Sequence, residues 1–180
     1  GGLRSSPLNL ARVLVPVAAL SGMVALLSVP LNAVAGAPVH FQITDLNGAA
    51  TEIPSGLPQA RALLLLGFRH DDHAALDAWR EGLGLSSRDS DWFEVPVIGV
   101  GNSMIRAVIV RGMRSGVIGA ADRARFAPAF GDAAAIAEQL GVDPSAPAAV
   151  VVDRTGHVLA YASGAFDPTK AAALIHVLRP

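Results

Sequence analysis

The chain contains no cysteine among its 180 residues. This absence excludes disulfide bonds, cysteine-ligated zinc or iron–sulfur sites, and every reaction that begins with a protein thiolate. Positive charge is not in excess either, because 14 Lys and Arg residues stand against 15 Asp and Glu residues. A nearly balanced charge gives no reason to expect a nucleic-acid partner, and we expect none.

Charged residues are also absent from one long stretch, residues 13–37, which follows two arginines. A basic start, an apolar run and the small-residue sequence Ala33-Val34-Ala35 are typical of a cleaved export signal. The same run is long enough to span a bilayer as a retained anchor, whereas a buried helix of a soluble protein would show a polar face. We therefore expect a signal peptide or membrane anchor helix over residues 1–37. Residues 38–180 are then one exported domain, periplasmic or held at the membrane.

Past this segment, apolar and alternating stretches predict strands, and Asp residues ahead of amphipathic stretches predict capped helices. The predicted strands cover residues 41–46, 63–68, 94–100, 147–153 and 158–162, the last two forming a hairpin. The predicted helices begin after Asp72, Asp132 and Asp167. Segments 63–68 and 95–100 should be adjacent and parallel, because a helix separates them. Gly112 and Gly116 argue against one continuous helix over residues 102–118.

This order of elements, with Pro147 ahead of a Val-rich strand and Asp153-Arg154-Thr155-Gly156 as a hairpin turn, resembles the thioredoxin-like superfamily. The resemblance implies an α/β three-layer fold with a central mixed sheet. A narrower likeness covers residues 92–98 and 106–117, where a tryptophan-bearing strand precedes an arginine-bearing segment and the sequence Gly112-Met113-Arg114-Ser115-Gly116. These residues resemble the mitochondrial assembly factors of the ATP synthase membrane sector and their bacterial relatives. That likeness implies an accessory protein at a membrane.

Redox members of the superfamily carry a cysteine pair between the central strand and the next helix. At that position this chain has a loop of charged residues and histidines, Arg69, His70, Asp71, Asp72 and His73. The resemblance also assigns Pro147 to the neighbourhood of this loop, with its peptide bond cis or trans. We expect no thiol oxidoreductase or peroxidase activity, because neither reaction starts without a thiolate.

The same loop permits a second interpretation as a metal site. His70, Asp72 and His73 could hold a divalent ion, since two histidines three residues apart at a helix start can point to one side. The structural interpretation is that Asp71 and Asp72 cap the helix while both histidines are solvated. Zinc sites usually need three or four protein ligands, so we favour the structural interpretation and expect no metal or other cofactor.

The densest basic stretch of the chain lies between residues 102 and 130. Its arginines alternate with methionine and isoleucine, a composition suited to contact with an acidic partner or lipid phosphates. The alternative interpretation is that this stretch is an amphipathic segment whose charged face is solvated. The predicted contact residues are Arg106, Ile109, Arg111, Met113 and Arg114.

Three functions follow from these patterns. The favoured one is a non-redox accessory protein that assists assembly or maturation of a membrane complex, with a membrane protein or complex subunit as partner and the N-terminal segment as membrane contact. The first alternative is a metal-dependent or acid–base enzyme centred on His70–His73. The second is an exported module that binds a small ligand.

Overall fold

The computed structural model describes residues 36–99 and 101–180. The signal or anchor predicted over residues 1–37 lies outside this range except for its last two residues. Within the described ranges, no helix is both long and apolar enough to cross a membrane.

Seven strands and five α-helices follow one another along the described chain. The strands are β1 (Phe41–Thr44), β2 (Ala50–Ile53), β3 (Arg61–Gly67), β4 (Trp92–Ile98), β5 (Ala129–Phe130), β6 (Ala148–Asp153) and β7 (Val158–Ser163). The helices are α1 (His73–Gly82), α2 (Ser103–Gly116), α3 (Ala120–Arg123), α4 (Ala133–Leu140) and α5 (Pro168–Leu178). A 3-10 helix, His70–Asp72, immediately precedes α1.

Five of the strands form one mixed sheet in the order β5-β4-β3-β6-β7. β3 pairs in parallel with β4, and β4 with β5, while β6 runs antiparallel to both β3 and β7. The predicted adjacency of the two central strands is therefore confirmed, as is the hairpin of β6 and β7. After Arg61, β3 is apolar and buried from Ala62 to Gly67, as expected for a strand with both faces covered.

The two faces of the sheet carry separate apolar cores. Leu76 and Trp79 of α1 pack with Leu174 of α5 against one face, which includes Leu63 and Leu65 of β3. The other face packs against α4 and a two-stranded hairpin of β1 and β2. The sheet thus lies between two covering layers.

The ends of two helices follow the sequence prediction closely. The Asp132 carboxylate accepts hydrogen bonds from the backbone N–H groups of Ala134 (2.8 Å) and Ala135 (3.4 Å), and Gly141 ends α4 with a φ of 67°. The Asp167 carboxylate caps α5 in the same way, ahead of Pro168.

Three sequence expectations need correction. Residues 47–60, where no strand was predicted, contain β2, which pairs with β1, and a further unpredicted short strand, β5, lies at the sheet edge. The expected break in residues 102–118 is wrong, because α2 is one continuous helix of 14 residues. A Cβ on Gly112 or Gly116 would meet nothing within 4 Å, so no close contact requires glycine at either position, and the helical cost of about 1 kcal/mol for an interior glycine does not break α2.

Candidate functional site

The loop after β3 is folded around a buried carboxylate. Asp72 is 7% exposed, and its Oδ2 accepts hydrogen bonds from the backbone N–H groups of Phe68 and Arg69, both at 2.9 Å. Its side chain makes no capping bond to α1. The predicted cap therefore lies one turn earlier than expected: the carboxylate accepts the Arg69 N–H at the start of the 3-10 helix that leads into α1, and it also fixes the loop through the Phe68 N–H.

The remaining loop side chains are exposed to solvent. Arg69 and Asp71 form an ion pair at 3.2 Å. The rings of His70 and His73 meet edge to face with centroids 5.6 Å apart. In the described part of the chain, no group of three or more His, Asp or Glu side chains is arranged to hold a metal ion. The two histidines accordingly have no third ligand beside them.

Pro147 lies beside Gly67 at the end of β3, because the register of β3 and β6 places Ala148 opposite Leu66. It precedes β6, its carbonyl accepts a hydrogen bond from the Gly164 N–H at 2.8 Å, and its peptide bond is trans, since the cis peptide of the described residues is Ile53–Pro54.

A cavity of about 380 Å³ lies between this loop and α2, at the carboxyl ends of β3 and β4. Apolar side chains supply much of its wall, and the loop supplies the polar rim. The lining residues are Gly67, Phe68, Arg69, His70, Asp72, His73, Leu76, Pro96, Val97, Ile98, Gly99, Ile109 and Met113. The cavity therefore brings together two regions that the sequence analysis treated separately, the histidine loop and the segment with Ile109 and Met113.

Helix α2 closes this cavity without joining either core. None of its 14 residues, all of them within the described range, is buried. Its inward side is half-buried and consists of Arg106, Ile109, Val110 and Met113. Its outward side exposes Met104, Ile105 and Val108 together with Arg111 and Arg114.

Polar contacts hold α2 in place. The Asn102 side chain accepts a hydrogen bond from the Ile105 N–H at 2.9 Å. Arg106 donates through Nε to the Gly101 carbonyl at 3.0 Å, and its guanidinium lies 5.4 Å from the ring centroid of Phe130. At the other end, Arg123 donates to the Val117 carbonyl at 2.6 Å.

The arginines of this region therefore belong to two groups. Arg106, Arg123 and Arg125 hold the fold, Arg125 by donating to the Trp92 carbonyl at 3.2 Å with its guanidinium 4.8 Å from the Phe93 ring centroid. Burial lowers the pKa of Arg125. Arg111 and Arg114 are exposed, and within residues 36–99 and 101–180 their guanidinium groups make no ion pair or hydrogen bond.

A buried acid in β4 escaped the sequence analysis. Glu94 is 1% exposed, and its Oε2 lies 3.5 Å from Nη1 of Arg80. Burial raises the pKa of Glu94 to about 7, against the attraction of Arg80 that lowers it. The sequence could have indicated this burial, because Glu94 lies among apolar residues of a predicted strand, and an acid within a buried strand is buried with it.

Comparison with known structures decides the fold. The structure of the exposed lipoprotein thioredoxin of Streptococcus pneumoniae aligns with a TM-score of 0.53 at 16% identity, covering 78% of this chain and 98% of that one. A putative electron transport protein of Aquifex aeolicus aligns with a TM-score of 0.52 at 10% identity, covering 83% and 99%. A DsbF homologue of Corynebacterium diphtheriae gives 0.50 at 14% identity, covering 79% and 86%.

The fold is thioredoxin-like. No protein-family model and no curated protein matches the sequence. The fold prediction, an α/β thioredoxin-like domain with a central mixed sheet and no cysteine, is confirmed. The narrower likeness to ATP synthase assembly factors stays a prediction. In this thioredoxin-like domain the loop 69–73, at the position that the resemblance gives to redox cysteines, forms the rim of the cavity.

Proposed function

We propose that this chain is a non-redox accessory protein that assists the assembly or maturation of a membrane complex by holding a segment of a membrane protein. The observation that carries the proposal is the cavity of about 380 Å³ between the histidine loop and α2. It lies where a redox relative would act on its substrate, and the chain has no thiol with which to act.

The lining of the cavity suits an apolar side chain of a partner. Leu76, Val97 and Ile98 belong to the body of the domain, while Ile109 and Met113 belong to α2. An apolar group that enters such a site is removed from water, and an unbranched methionine adapts to partners of different shape. Arg69, His70 and His73 at the rim supply hydrogen-bond donors to a partner backbone.

The location of the domain is part of the same proposal. Residues 13–37 have the composition of an export signal or anchor, and one structure of similar fold is named an exposed lipoprotein thioredoxin. We propose that the domain lies outside the cytoplasm, close to the membrane that holds its partner.

Site-specific photo-crosslinking tests the proposal. A photoreactive amino acid replaces His73 at the cavity rim in the full chain, and a second version carries it at the exposed Glu138 of α4. Irradiation in the native host should join the His73 version, and not the Glu138 version, to one integral membrane protein that mass spectrometry identifies. Deleting the gene should lower the amount of the complex containing that protein on native gels.

Two matched substitutions then test whether the partner enters the cavity. Met113→Glu places a carboxylate in the cavity wall and should abolish the crosslink, whereas Ala134→Glu adds the same charge to an exposed position of α4 outside the lining and should retain it. Equal crosslinking by both variants would show that the partner does not enter the cavity.

The cavity also supports a second candidate, an exported module for a small ligand. Its volume is within the range of about 300–1,000 Å³ that small-molecule pockets occupy. Native mass spectrometry of the purified full chain distinguishes this candidate, because a bound small molecule would add a discrete mass that Met113→Glu removes.

A further inference from the structure

The outward side of α2 concentrates the exposed apolar surface of the domain. In the described part of the chain, the large apolar side chains that are exposed are Met104 (75%), Ile105 (51%), Val108 (67%) and Ile118 (90%). All four come from α2 or the residues directly after it. Exposed apolar side chains scattered singly need no explanation, but a cluster marks a contact surface.

The same surface is the positive region of the chain. Residues 103–121 contain three arginines, of which Arg111 and Arg114 lie on this outward side, and no acidic residue, while the chain as a whole has a formal net charge of −1. The other residues therefore sum to −4. Such a distribution orients the protein, since a negative surface attracts α2 and repels the remainder.

The fold itself does not use the outward side. Arg106, Asn102 and Arg123 fix α2 through hydrogen bonds on its inward side and at its ends. Arg111 and Arg114 take no part in these bonds and remain available for an external anion. Arginine binds phosphate oxygens through two parallel N–H bonds, so two free arginines beside apolar side chains suit a phosphate-bearing apolar partner.

We propose that the outward side of α2 lies on the surface of an anionic lipid bilayer. Met104, Ile105 and Val108 enter the boundary between headgroups and acyl chains, and Arg111 and Arg114 bind lipid phosphates. A helix with apolar and basic residues and no acidic ones is the kind that rests in a membrane interface. None of the four main cavities of the described residues is lined by Met104, Ile105 or Val108. A bilayer suits this surface better than an acidic protein, because a fluid surface needs no cavity to receive it.

This membrane contact is independent of the proposed cavity function. The cavity uses Ile109 and Met113 on the inward side, and the lipid surface uses Met104 and Val108 on the outward side. A substitution that removes the lipid contact therefore leaves the cavity lining unchanged, and a substitution in the cavity lining leaves the lipid-binding residues unchanged.

The cysteine-free sequence makes the test direct, since one introduced cysteine is the single labelling site. An environment-sensitive fluorophore is attached to Val108→Cys in the full chain, and to Ala172→Cys on α5 as the exposed control. Each protein is mixed with phosphatidylcholine vesicles, with or without about one third phosphatidylglycerol. Reading the fluorophore reports contact at α2 even if residues 1–37 anchor the chain in both kinds of vesicle.

The label at position 108 should shift to the blue with anionic vesicles and not with neutral ones, and raised salt should reverse the shift. Arg111→Gln and Arg114→Gln should each raise the lipid concentration for half-maximal shift roughly fivefold. Arg88→Gln, an exposed arginine before β4, should leave it unchanged. An equal shift with neutral vesicles, or at position 172, would overturn the proposal. A second result would also overturn it: the label at position 108 does not shift with anionic vesicles, while the protein binds an acidic membrane protein in detergent and loses that binding when Arg111 and Arg114 are substituted.

Discussion

The buried carboxyl group of Glu94 makes the stability of this domain fall as the pH rises toward neutrality. Its pKa is raised from 4.5 to about 7, chiefly because burial penalises the ionised form. In the unfolded chain the group loses its proton near pH 4.5, while in the folded domain it keeps the proton until about pH 7. The folded state therefore binds more protons across this interval, and the free energy of unfolding decreases between these two pH values.

The difference between the two pKa values corresponds to roughly 3 kcal/mol. Glu94→Gln keeps the shape of the protonated group and cannot ionise. It should match the wild type at about pH 4 and below, where the group is protonated in both states, and exceed it at about pH 8 by up to that amount, a shift in melting temperature of roughly 6–12 °C for a chain of this size. Arg80 retains Asp77 as an ion-pair partner at 2.7 Å in this variant.

Thermal unfolding followed by circular dichroism from about pH 4 to about pH 8.5 measures the effect as a difference between variant and wild type, and this difference cancels the contributions of the other titrating groups. Glu81→Gln, at an exposed position of the same helix α1, is the control and should change stability by less than about 0.5 kcal/mol throughout. A difference that stays constant with pH, or a wild type more stable than Glu94→Gln at pH 8, would refute the reasoning. The second result would mean that attraction to Arg80 outweighs the penalty of burial.

Three further predictions concern the loop and α2. Asp72→Ala removes the acceptor of two backbone N–H groups and should lower the free energy of unfolding by about 2 kcal/mol in denaturant titrations, while Asp71→Ala at the exposed pair should change it little. Arg123→Ala should lower it by about 1–2 kcal/mol, because the Val117 carbonyl loses its donor, whereas Arg114→Ala should fall within about 0.5 kcal/mol of wild type. In assays of insulin reduction and peroxide consumption, the wild type should not exceed the rate of buffer alone. The double variant His70→Cys, His73→Cys should reduce insulin faster than buffer. If it does not, the loop is not equivalent to a redox loop.

The sequence predicted the central strands because their signal is local. Residues 63–66 are leucines without a break, and Asp132, Gly141, Asp167 and Pro168 sit at helix ends where their side chains or backbone have a defined role. β2 and β5 were missed for the opposite reason. β2 contains Thr51 and Glu52 among its four residues, and β5 has two residues, so each is defined by the strand that it pairs with.

The roles of the arginines could not be predicted from spacing. Arg106 and Arg111 stand in the same amphipathic stretch, yet one donates to the Gly101 carbonyl and the other faces solvent. The side of α2 that faces the domain depends on where β4 ends and on the position of the Phe130 ring, which the Arg106 guanidinium contacts. Both are consequences of the tertiary fold. The bonds of Asp72 were misassigned for a similar reason, because the N–H groups that donate to its carboxylate, those of Phe68 and Arg69, lie before it in the chain.

Helix α2 gains little from the interior of the domain. None of its described residues is buried, and it contains Gly112 and ends at Gly116. An isolated helix of this length is marginal in water, and an interior glycine weakens it by about a further 1 kcal/mol relative to alanine. Because α2 has no buried face, it is held by hydrogen bonds from Arg106 and Arg123 and by the Asn102 cap. Because internal packing requires neither the outward apolar side chains nor Arg111 and Arg114, external contacts are the physical reason that we assign to them.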